Sequence, residues 1–104
     1  MQAVLNKMEN TTDTISYFLS KLENADNIAK NEIENRLVSI GKTAVPELVD
    51  QLQIVQGVKR GVVAMTLIRI GDDSIEYLKK AAKTNKEFEW VARYLITEIN
   101  GKAA

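Results

Sequence analysis

The tightest constraint on this chain is an echo at an offset of thirty residues. Leu37, Ile40, Gly41, Ala44, Val45 and Leu48 return as Leu67, Ile70, Gly71, Ser74, Ile75 and Leu78. One period earlier, Ile15, Phe18, Leu19 and Leu22 stand where Val45, Leu48, Val49 and Leu52 will stand. A weaker copy at an offset of twenty-nine places Val91, Ala92, Ile96, Ile99 and Asn100 under Val62, Val63, Leu67, Ile70 and Gly71. A chain that repeats at this period builds one supersecondary unit several times and buries each copy against the next.

Both halves of the unit have helical spacing. Val45, Leu48, Val49 and Leu52 form an i, i+3, i+4, i+7 stripe, and Val62, Val63, Leu67 and Ile70 mark one face of another helix. Ile70 and Ile75 are both expected in the core only five positions apart, so the turn between the two helices is tight and the unit is an αα-hairpin. The spacing predicts helices over 2–9, 13–23, 28–40, 44–55, 59–70, 73–83 and 86–99, the first being either separate or the start of a longer helix reaching Leu22. Gly41, Gly71 and Asn100 fall where a helix C-terminus favours positive φ. Pro46 falls in a first turn, where its missing N–H costs nothing. Asp26 or Asn27, Asp72 and Asp73, and a Thr84–Glu87 capping box are the expected N-terminal caps.

Gly41-Lys42-Thr43 also ends like a phosphate-binding P-loop. That motif needs a glycine where this chain has Arg36, and it joins a strand to a helix. The equivalent Gly71-Asp72-Asp73 lacks both lysine and threonine, so the glycine is read as structural.

Composition narrows the chemistry. The 104 residues suffice for one small domain, spanning 1–104 with a repeat core of about 13–100. Fourteen basic residues balance fourteen acidic ones, which removes the overall positive field that favours nucleic acid. With no cysteine and no histidine, disulfides, thiolate chemistry, Cys/His zinc sites and imidazole acid–base pairs are excluded. Glu32, Glu34, Asp72 and Asp73 could be written as carboxylate pairs, but no nucleophile–base pair accompanies them; the chain is expected not to be an enzyme. The segment MQAVLNKMEN lacks the apolar run of a signal peptide and no stretch approaches membrane-spanning length, so a cytoplasmic location is expected.

VKRGVVAMTLIRIGDDSIEYL and RLVSIGKTAVPELVDQL resemble HEAT-like repeats of the phycobilisome-lyase type. Arg60 matches the motif arginine, Leu67, Ile70, Gly71 and Asp72 the end of the first helix, and Ala44, Val45, Pro46 and Leu48 the start of the second. The departures are Val62, Val63 and Thr66 in place of small alanines, Lys42 in place of aspartate, and Glu89 at the arginine position of the last copy. The resemblance implies an all-α, short right-handed α-solenoid of about three helical hairpins, with the second helix of each pair on the concave side. Bilin lyases of this type are larger, paired subunits, and with neither their length nor a cysteine or histidine this chain is expected to hold no cofactor and no metal.

On the second-helix series, the positions opposite the core stripe are Tyr17, Glu47 and Tyr77. Beside them run Ser20, Asp50 and Lys80, and then Lys21, Gln51 and Ala81. Two tyrosines around an acidic centre suit a protein or peptide partner, while tyrosines on a merely solvated helix face are equally ordinary. On the first-helix series, Met65, Ile68, Trp90 and Tyr94 are expected to face outward as a self-association patch, unless other parts of the chain cover them. Lys79, Lys80, Lys83 and Lys86 offer a basic face for a nucleic-acid backbone, but interleaved glutamates favour a solvated surface. The leading expectation is therefore a non-catalytic protein-interaction module. Nucleic-acid binding and self-association are the alternatives.

Overall fold

The computed structural model describes residues 11–103 of the chain. Six α-helices follow in order: α1 Thr11–Ser20, α2 Asn27–Ile40, α3 Val45–Leu52, α4 Gly57–Ile70, α5 Ile75–Thr84 and α6 Glu89–Ala103. There is no strand among the described residues. The helix expected over 2–9 lies outside them. No described helix is long and apolar enough to cross a membrane.

The glycine turns form as their positions require. Gly41 and Gly71 have φ of 74° and 88°, and their N–H groups donate to the carbonyls of Leu37 and Leu67. A single 3-10 turn follows each, Gly41–Ala44 and Gly71–Ser74, and its last residue is buried. Burial of a small residue here draws the next helix back along the first. Ser74 is polar, but its hydroxyl donates to the Leu67 carbonyl at 2.8 Å, so no hydrogen-bonding capacity is stranded.

Three capping expectations are corrected. Asp72 and Asp73 do not cap α5: they lie within the 3-10 turn, and Ser74, whose side chain reaches back to Leu67, holds the cap position. Thr84 donates to the Ala81 carbonyl, and the neighbouring Asn85 instead accepts from the Glu87 N–H at 3.2 Å. Asn100 does not end a helix, because α6 runs on to Ala103. No following helix among the described residues turns the chain there. Asp26 does cap α2, accepting from the Ala29 N–H at 2.8 Å. Asp26→Ala is expected to destabilise the fold by about 1 kcal/mol, read from a denaturant midpoint at unchanged m-value.

The helices lie in two sets. α3 touches α1 on one side and α5 on the other, while α4 touches α2 and α6. Between successive hairpins, α3 packs on α4 and α5 on α6. Ile15, Leu19, Leu37, Leu48, Leu52, Leu67, Leu78 and Leu95 are among the large side chains of the shared core. Ile70 and Ile75 are half-buried against its margin. Thr66 is fully buried among them and turns its hydroxyl onto the Val62 carbonyl at 2.7 Å. Between helices, Arg69 reaches Glu34 at 2.9 Å and Asn35 at 2.8 Å, tying α4 to α2. Asn85 donates to the Gln53 side chain at 2.9 Å, joining the ends of α3 and α5.

Candidate interaction surface

The stripe residues Leu48, Val49, Leu52 and Leu78 fix α3 and α5 against the core, so the opposite flanks of these helices hold defined positions. Where the two helices meet they leave an open groove of about 360 Å³. Asp50 lines it from α3 and Tyr77 and Lys80 from α5, together with Pro46, Val49 and Ala81. The Lys80 ammonium lies 5.2 Å from the centre of the Tyr77 ring, within cation–π range. The groove thus offers a carboxylate, an aromatic ring and a cation beside apolar lining residues.

The other expected members of this face are exposed or half-buried but distributed. Tyr17 and Lys21 line a separate recess of about 350 Å³ between α1 and α2, with Glu32 and Arg36 across from them. There the Lys21 ammonium lies 5.1 Å above the Tyr17 ring, and Phe18 meets that ring edge-on with centroids 5.6 Å apart. Gln51 donates to Glu47 at 3.0 Å along α3, and Ser20 donates to the Tyr17 carbonyl. The structure therefore brings Asp50, Tyr77 and Lys80 together, and sets Tyr17 and Lys21 in a different recess.

The expected outer patch divides as well. Ile68 is only 7% exposed and belongs to the core, which corrects its assignment to a surface. Its helix is flanked by α2 on one side and α6 on the other, so more than one stripe of α4 is covered. Met65 opens onto a groove between α2 and α4. Trp90 and Tyr94, by contrast, share one trough along α6.

Comparison with protein-family models, curated proteins and solved structures gives no match. The site's chemistry therefore rests on its own geometry. The lysines expected to act together are all exposed, but Lys80 faces the α3–α5 groove and Lys86 the α6 trough. Of the carboxylates, Glu34 is engaged by Arg69. No group of three or more histidine, cysteine or carboxylate side chains is placed to hold a metal ion among the described residues.

Ala81, expected in the outermost row, also lines the groove, and Pro46, Val49, Gln53 and Thr84 complete it without having been expected to face a partner. Val49 carried a signal as a stripe residue, read only as core. Gln53 gave none, because its partner Asn85 is thirty-two residues away and falls out of register with the repeat.

Proposed function

We propose that the chain is a short, right-handed HEAT-like solenoid that serves as a non-catalytic interaction module in the cytoplasm, binding a protein or peptide along α1, α3 and α5. The observation that carries this reading is the convergence of Asp50, Tyr77 and Lys80 on one groove between two helices held by buried leucines. The two sets of helices, α1–α3–α5 and α2–α4–α6, and the recurrence of the glycine turn support the solenoid. In this reading an extended segment lies across α3 and α5. Tyr77 supplies contact area at small entropic cost, while Asp50 and Lys80 select complementary charge.

No cofactor or metal takes part. The lysine face does not support nucleic-acid binding equally well, because Lys80 and Lys86 open onto different grooves and the chain has no net charge.

The test is capture of partners from the source cells by the wild type, Tyr77→Ala and Asp50→Lys, followed by titration of any partner retained by the wild type. Both variants are expected to weaken binding at least roughly tenfold, the loss of about 1.4 kcal/mol or more that marks a contact at the centre of an interface. Far-UV circular dichroism is expected to be unchanged. Partners held equally well by all three proteins would remove the groove from consideration.

A further inference from the structure

Lys86, Trp90, Tyr94 and Glu98 follow one another at intervals of four residues and line a single trough of about 450 Å³ on α6 and the turn before it. Trp90 is 71% exposed and Tyr94 56%. Two large rings left open side by side call for a covering partner more strongly than scattered apolar residues do. The flanking polar groups are already engaged within the helix: Arg93 pairs with Glu89 at 2.8 Å, and Thr97 donates to the Arg93 carbonyl at 2.9 Å. At the twenty-nine-residue offset, Thr97 stands where α4 has the buried Ile68, and Arg93 where it has Ala64. The flank that α4 commits to the core is polar in α6. That polarity argues against another helical hairpin as the occupant of the trough.

The order of the row identifies a better one. It reads cation, indole, phenol, carboxylate, and is its own complement when reversed. We propose that α6 pairs antiparallel with α6 of a second copy of this chain, about a two-fold axis level with Ala92. Trp90 then meets the second copy's Tyr94, and Lys86 meets its Glu98, each contact occurring twice by symmetry. Shifting the axis to the level of Trp90 leaves Glu98 without a counterpart, and shifting it to Tyr94 leaves Lys86 without one. Parallel pairing sets lysine against lysine and glutamate against glutamate. One alignment alone uses all four side chains. Rows of i±4 residues run side by side when two helices cross at about −50°, the commonest packing class. This surface is separate from the α3–α5 groove, so the dimer and the partner-binding reading stand or fall independently.

Sedimentation equilibrium across a wide concentration range tests the pairing. The wild type is expected to dimerise, with Trp90 emission shifting to the red on dilution. Trp90→Ala is expected to weaken the dimer roughly 30-fold or more, as a central aromatic anchor does. Lys86→Glu and Glu98→Lys are each expected to weaken it about tenfold. The double variant carrying both charge reversals is expected to recover to within about threefold of wild type, since the row is complementary again. An equimolar mixture of the two single variants is expected to associate more tightly than either alone. Tyr77→Ala is expected to leave the dimer unchanged. All substituted side chains are exposed, and circular dichroism verifies that each variant is folded. A strictly monomeric wild type, a dimer indifferent to Trp90→Ala, or charge reversals that do not compensate one another would each overturn the proposal.

Discussion

Leu67→Ala is expected to lower stability by about 3 kcal/mol and the melting temperature by about 15 °C. Leu67 has no solvent exposure and lies in α4, the helix in contact with α2, α3 and α6. Removing its terminal carbons loses their transfer free energy and leaves a cavity that four helices must move together to close. They resist such movement. The Leu67 carbonyl accepts from both the Gly71 N–H and the Ser74 hydroxyl, so the backbone beside the cavity is held by the turn into α5. For a domain of this size, total stability is on the order of 5–15 kcal/mol, and the variant loses a large share of it. Ile28→Ala is the matched control: its side chain is largely exposed, and the expected change is within about 0.5 kcal/mol. Thermal and urea unfolding of both variants checks the contrast. A Leu67→Ala protein as stable as the control would mean that α4 does not pack as described.

The same helix shows where reading by periodicity succeeds and where it stops. Val62, Val63 and Leu67 were legible as core because they fall on one 3.6-residue stripe, and all three are buried. Thr66 lies on that stripe and is buried although polar, whereas Ile68 lies off it and is buried too, because α4 has neighbours on several sides and a single-face rule undercounts burial for such a helix. Gly41 and Gly71 were legible because few other residues tolerate what the turn demands. The caps were less so. Thr84 and Asn85 are adjacent residues with similar capping ability, and the choice between them depends on where α5 ends, to within one residue. Which surface rows are exposed followed from the period, but which of them share a groove did not. Asp50 shares a groove with Tyr77 and Lys80 because α3 packs beside α5, and that packing is set by core side chains from both helices. Tyr17 lies at an equivalent repeat position and lines a different recess, formed with α2.

The second large effect comes from glycine, with opposite signs at two positions ten residues apart. Gly71→Ala is expected to destabilise the fold by about 2 kcal/mol, and Gly61→Ala to stabilise it by about 0.5 to 1 kcal/mol. Gly71 has φ 88° and ψ −139°, and Gly41 has φ 74° and ψ −143°, a region that residues bearing a Cβ scarcely visit. A Cβ at either place would meet no atom within 4 Å, so the cost arises in the local backbone rather than from a clash. A Cβ on Gly61 would likewise meet nothing within 4 Å beyond its own helix, but Gly61 lies inside α4 with ordinary helical φ. There, alanine removes conformational freedom from the unfolded chain without straining the folded one. Steric crowding is the same at the two sites, so the difference between the variants isolates backbone conformation. The Gly41→Ala/Gly71→Ala double variant is expected to lose about 4 kcal/mol, the sum of the single losses for two turns that share no partners. Urea titration of the wild type, the three single variants Gly41→Ala, Gly61→Ala and Gly71→Ala, and the double variant measures all of these quantities. If Gly71→Ala matched Gly61→Ala in sign, the turn from α4 to α5 would not require positive φ. A double variant far from the sum would instead show that the two turns are coupled through the α3–α4 packing between them.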